Sequence, residues 1–113
     1  MGAYSHAILA GNPAYVAGQI PLDPKTGELV TDASIEGQTR QVLENLRVVL
    51  EASDMSLDDV VATQVFVTDI GEAARVNAVY ASYFKQRPPA RALVQVARLP
   101  RDVRIEITAT AVK

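Results

Sequence analysis

The sequence predicts an α+β fold, a two-layer sandwich in which one mixed β-sheet is covered on one face by two α-helices. Three observations carry this. Apolar residues recur at alternating positions in some segments and at helical spacing in others, in the order βββαβαββ. Only two segments have the helical period, enough to cover one face of a sheet and not both. Finally, 113 residues, 49% of them apolar, suffice for one core of two packed layers, so residues 1–113 read as a single domain.

The elements follow in order. "HAILA" and "YVAGQIP" read as short strands separated by Gly11, Asn12 and Pro13, and "LDPKTGEL" carries a Pro and a Gly spaced for a tight turn, which makes an N-terminal meander. From Asp32 the period changes. Ile35, Thr39, Val42, Leu43, Leu46, Val49 and Leu50 line one helical face, Glu36, Arg40, Glu44 and Arg47 the other, with a cap near Asp32. "VVATQVFVTD" is a β-branched strand. Asp69 caps a second helix with Ala73, Val76, Tyr80, Tyr83 and Phe84 on one side, and Pro88 and Pro89 stop it. "PPARALVQVARLP" and "VRIEITATAV" supply the last two strands.

Composition excludes several classes of function. Acidic and basic residues are scattered and the net charge is -2, which argues against a nucleic-acid partner. The chain has no cysteine and one histidine. Thiol chemistry is therefore excluded, and a metal site would have to be built mainly from carboxylates. No apolar run reaches membrane-spanning length, and "MGAYSHAIL" lacks the basic flank and cleavage site of a signal peptide. The expected compartment is the cytoplasm.

If "LPRD" is a four-residue hairpin loop, Arg98 pairs with Val103, Gln95 with Glu106 and Leu93 with Thr108. Ala92, Val94 and Val96 then join Val103, Ile105, Ile107 and Ala109 on an apolar face suited to the helices. Arg91, Leu93, Gln95, Arg104, Glu106, Thr108 and Thr110 fall on the other. That register puts Arg91 and Glu106 on a common face, roughly 13 Å apart at ~3.3 Å per residue, and Glu106 is the only acidic residue there. An exposed strand-end charge and a cross-strand ion pair are the plain structural readings of the same two residues. The helix-free face is mixed rather than polar, so self-association through it is expected, with clefts where subunits meet. Asn77 falls on or beside the apolar stripe of the second helix, where a buried amide needs hydrogen-bond partners. Tying the helix to a loop and binding a ligand both remain open for it.

The segments "GAYSHA", "YVAGQIPLDPKTGEL", "QTRQVLENLRVVLEAS", "VFVTDI", "VNAVYASYF", "PPARALVQVARLPRDVRIEI" and "TATAVK", in that order across nearly the whole chain, resemble the YjgF/RidA family of enamine and imine deaminases. The resemblance implies a chorismate-mutase-like fold and a homotrimer with sheets inward and sites at the subunit interfaces. It implies hydrolysis of reactive 2-imino and 2-enamino acids, of the 2-aminoacrylate type, to 2-keto acids and ammonia. No metal or organic cofactor is implied. Residue by residue, the substrate arginine falls on Arg91, the acidic residue that handles water on Glu106, and the substrate-proximal tyrosine on Tyr4. The glycine of the "SGQIP" element falls on Gly18, and the helix asparagine on Asn77. Two matched positions depart: Ala17 stands where the family often has Ser, and Leu93 where it often has Cys.

The chemistry of these residue types agrees. Arginine's planar fork accepts a carboxylate at two points, where lysine offers one. A carboxylate that positions and deprotonates water suits hydrolysis of a C=N bond. A glycine lets backbone approach a ligand. Two other readings share these residues: a non-catalytic ligand-binding or specialised tailoring trimer, which the changes at Ala17 and Leu93 leave open, and an endoribonuclease, against which the lack of a basic groove and aromatic platform counts.

Overall fold

The computed structural model describes residues 3–30 and 34–113. Two strands open it, β1 (Ala7–Leu9) and β2 (Pro13–Gln19), paired antiparallel with Ala7 opposite Val16 and Leu9 opposite Ala14. The first helix, α1 (Ile35–Glu51), starts at Ser34, whose side chain accepts from the Gly37 amide at 3.2 Å. Asp32, the expected cap, lies outside the described residues. Ile35, Thr39, Val42, Leu43, Leu46 and Leu50 are buried, as the helical period predicts, and Gln38 joins them. Thr39 fits this apolar stripe because its hydroxyl donates to the Ile35 carbonyl at 2.7 Å.

Strand β3 (Val60–Val67) follows. Asp69 accepts from the Gly71 amide and caps a single 3-10 turn, Ile70–Glu72, which runs into α2 (Ala73–Tyr83). Strand β4 (Ala90–Gln95), a 3-10 turn at Pro100–Asp102 and strand β5 (Ile105–Val112) complete the chain. The sheet order is β1-β2-β5-β3-β4, with β4 parallel to β3 and every other pair antiparallel. It is the expected mixed sheet. Both helices pack on one face, over Ala14, Val16, Val65, Val67, Ile105, Ile107, Ala109 and Ala111. No helix is long and apolar enough to cross a membrane among the described residues.

Two expectations need correction. The third strand of the meander is only an isolated bridge, Leu22 with Leu29, closed by Asp23 amide to Glu28 carbonyl at 2.8 Å. More consequentially, β4 and β5 do not form a hairpin. The crossover through α2 returns β4 parallel to β3, pairing Thr63 with Arg91, Val65 with Leu93 and Val67 with Gln95. Strand β5 then skips over β3 and enters between β3 and β2, pairing Phe66 with Glu106 and Val65 with Ile107. Alternation within each strand was read correctly for β5, but it cannot name the neighbouring strand.

The new pairing inverts the face of β4. Register partners share a face, so Arg91, Leu93 and Gln95 lie on the helix side with Thr63, Val65 and Val67. Ala92 and Val94 lie on the helix-free side with Gln64, Phe66, Glu106 and Thr108. Val94, expected in the core, is 44% exposed.

Candidate functional site

Arg91 stands near the start of the edge strand β4, on the helix face and beside Thr63 of β3. Its guanidinium lies over the ring of Tyr80, 4.9 Å from the centroid, and its Nη1 donates to Asn77 Oδ1 at 2.6 Å. Both partners come from α2, three residues apart and hence on one side of the helix. Tyr80 is buried, and its hydroxyl shares a 2.7 Å hydrogen bond with Thr63 Oγ1, so the ring bridges helix and sheet beside Arg91. Burial pushes the Tyr80 phenol pKa up, which keeps it neutral. Leu93, on the same face, is half-buried against the core.

Glu106 lies on the opposite face. Opposite β5, strand β2 slips its register between Val16, which pairs with Ala109, and Gln19, which pairs with Ile107, leaving Ala17 and Gly18 to face Thr108 alone. This β-bulge re-aims the backbone of β2 toward Glu106. It is stabilised from both sides, since the Ala17 amide donates to the His6 carbonyl at 2.8 Å and its carbonyl accepts from Gln19 Nε2 at 3.0 Å. A Cβ on Gly18 would lie 2.7 Å from Glu106 Cδ and would overlap the carboxylate. The glycine is therefore the space the carboxylate occupies. Partial burial pushes the Glu106 pKa up, and no arginine or lysine among the described residues counters it. Tyr4, 58% exposed, packs edge-on against His6 with ring centroids 5.7 Å apart, on the segment bonded to the bulge.

The sequence-predicted residues thus fall into two clusters. One contains Arg91, Asn77 and Leu93, the other Glu106, Gly18, Ala17 and Tyr4. Within one chain Arg91 and Glu106 are separated by β3 and face opposite ways, so the common face inferred from a hairpin is overturned. Asn77 is exposed rather than buried, and its partner is a strand residue rather than a loop. Tyr80 and Thr63, which the sequence did not single out, stand beside Arg91. Tyr80 sits three positions after Asn77, a usable signal, but its place on the apolar stripe assigned it wholly to the core. Two open clefts, of about 460 and about 80 Å3, are lined by none of the predicted residues. Among the described residues no group of three or more His, Cys, Asp or Glu side chains is placed to hold a metal ion.

The family model described as Endoribonuclease L-PSP matches residues 1–113. The chain belongs to this family. Among its relatives are proteins named for the RutC family, for the Rid family and for imine deaminase activity. A RutC family protein of Pyrococcus horikoshii is 54% identical over the whole chain and 89% of its own length. A 2-iminobutanoate/2-iminopropanoate deaminase of Salmonella typhimurium is 45% identical, again across 100% of this chain and 89% of that protein. The crystal structure of a Rid family protein from Yersinia pestis superposes with a TM-score of 0.95 at 43% identity, covering 100% of this chain and 90% of the other. Against the family pattern implied by the resemblance, Ala17 removes a hydroxyl from a residue whose backbone amide and carbonyl are both already engaged. Leu93 exchanges a thiol for an aliphatic side chain that packs inward.

Proposed function

We propose that this L-PSP family member hydrolyses reactive 2-imino and 2-enamino acids to 2-keto acids and ammonia, in the cytoplasm, at sites between the subunits of a homotrimer. The observation that carries the reading is the division of the predicted residues into two half-sites on opposite faces of one sheet. An arginine prepared for a carboxylate and a carboxylate prepared for water cannot meet within one chain. They can meet when Arg91 of one copy faces Glu106 of another. The helix-free face, which carries Glu106, supplies surface for the β4 edge of the next copy, which carries Arg91, with Ile8 58%, Tyr15 51% and Val94 44% exposed around Gln64, Thr108 and Thr110. The named activity of the 45% identical deaminase supports the choice of substrate.

The chemistry follows from the groups. Arg91, whose Nη1 is taken by Asn77, presents its Nε and Nη2 edge to the substrate carboxylate and fixes C2 in space. Glu106 accepts a proton from a water as the water oxygen bonds to C2, and the C=N π electrons move to nitrogen. Glu106 passes that proton to nitrogen, which gives a neutral carbinolamine. It then takes the carbinolamine hydroxyl proton and delivers it to nitrogen as the oxygen electrons form C=O and the C–N bond breaks, so both water protons end on the departing ammonia and water and imine balance keto acid and ammonia. The raised pKa of Glu106 makes it a stronger base than an ordinary carboxylate. Tyr4 and the backbone at Gly18 line the same half-site. Nucleic acid is not the expected partner, since the residues involved offer one arginine and one exposed ring, Tyr4, rather than a basic groove with successive stacking rings.

The test is 2-keto acid release in a threonine dehydratase or amino-acid oxidase reaction with semicarbazide competing for the imine. Added protein should divert the imine from semicarbazide to keto acid, and Arg91→Lys should abolish most of that diversion. No diversion by the native protein across several amino acids contradicts the reading.

A further inference from the structure

We infer that Tyr80, oriented by Thr63, is a positioning residue for Arg91: its ring holds the guanidinium at the place where it meets the substrate carboxylate. The inference rests on the deaminase reading and deepens it. An arginine on an edge strand has many rotamers, and a two-point grip on a carboxylate uses only one orientation of its plane. Two contacts restrict it here. The guanidinium carbon of Arg91 lies over the Tyr80 ring, 4.9 Å from the ring centroid, and Asn77 Oδ1 accepts from Nη1 at 2.6 Å. The first holds the cation over the ring and the second fixes which edge of it is turned to α2. What remains is the Nε and Nη2 edge, which no side chain among the described residues accepts from.

The ring itself is fixed. Its hydroxyl is bonded at 2.7 Å to Thr63, the register partner of Arg91, and its other neighbour is Phe84, with centroids 4.7 Å apart at 40°. Tyr80 is 6% and Thr63 3% exposed, so this bond is shielded from water and each hydroxyl satisfies the other. Pure core packing would require neither the hydroxyl pair nor the cation over the ring. The arrangement instead links β3, α2 and β4 at the point where Arg91 projects. Asn77 and Tyr80, three apart on α2, hold one side chain from two directions.

The test keeps ring shape constant and changes its charge distribution. Tyr80→Phe combined with Thr63→Val removes both buried hydroxyls together and serves as the reference. Against it, 4-fluorophenylalanine and trifluorophenylalanine replacing Tyr80 progressively drain the negative face of the ring. The readout is the Kd of 2-oxobutanoate, a 2-keto acid with no ring of its own, by NMR titration, with melting temperature followed on each variant. We expect Kd to rise stepwise by about 2- to 30-fold across the series, the range set by cation–π attraction, with little change in melting temperature. A flat series overturns the positioning role. Arg91→Lys in the native background tests the underlying reading separately: 2-oxobutanoate affinity should fall about tenfold or more. If that variant binds as tightly as the native protein, the carboxylate site itself is refuted, whatever the ring series does.

Discussion

Gly18 and Glu106 share one volume, and this makes the glycine testable on its own. A methyl group at position 18 overlaps the carboxylate, yet the obstructing atoms belong to the far end of a flexible side chain, which can swing aside. Gly18→Ala should therefore leave the melting temperature close to native while turnover falls about 100-fold, the scale of a catalytic group misplaced by about an ångström. Full turnover in a stable Gly18→Ala variant would mean that the carboxylate works from elsewhere or not at all. Glu106 also carries a pH signature. Burial raises its pKa above the ordinary 4.5, so its basic form appears only above that range and the acid limb of kcat/KM should lie higher than for an exposed carboxylate. The stability sign is the reverse. A raised folded pKa favours folding while the group is protonated, and that contribution disappears as pH rises through the folded value. Glu106→Gln should thus match native stability near pH 4 and exceed it near pH 8, while turnover at pH 8 drops by about 10²- to 10⁴-fold. A native protein as stable as the variant at pH 8 would contradict the desolvated carboxylate.

Between elements, the ion pair from Glu36 of α1 to Arg75 of α2, 2.6 Å, ties the helices together on their outer side. It holds the Glu36 pKa down at about 2. A depressed folded pKa gives stability above the unfolded value, lost as pH falls from about 4.5 towards about 2. Arg75→Met should flatten the acid side of the stability curve in that window, and an unchanged curve would show the pair to be fully screened. The helices were legible in the sequence because a 3.6-residue period in α1 is set by one burial face, and Ile35, Val42, Leu43, Leu46 and Leu50 declare it. Strand β5 was legible for the same reason, with Ile105, Ile107, Ala109 and Ala111 alternating inward. Its partners were not. A period of two records which side chains share a face and nothing about which strand lies alongside, so Pro100 and Asp102 suggested a hairpin while the α2 crossover took β4 to the far edge of β3. The error passed to the site: Arg91 and Glu106 were identified by residue type and resemblance, but their relative placement depended on the pairing. Nor could the sequence reveal the Tyr80 to Thr63 bond, which joins α2 to β3 across 17 residues.

At the scale of the whole molecule, the sheet has one face under two helices and another bearing Ile8, Tyr15 and Val94 in the open. In the proposed assembly the β4 edge of one copy, where Arg91 is exposed, seats against the open face of the next, where Glu106 lies. Light scattering coupled to size exclusion should give three times the 12.2 kDa chain mass, and a monomeric mass at micromolar concentration would contradict it. Subunit mixing tests the central claim most directly. Arg91→Lys and Glu106→Gln proteins, each inactive alone, are unfolded together and refolded as mixed oligomers. If each site takes its arginine from one chain and its carboxylate from another, random assortment restores on the order of a quarter of native turnover, because that share of boundaries pairs an intact Arg91 with an intact Glu106. If both residues act from the same chain, no boundary is restored, and mixed oligomers as inactive as their parents would contradict the account.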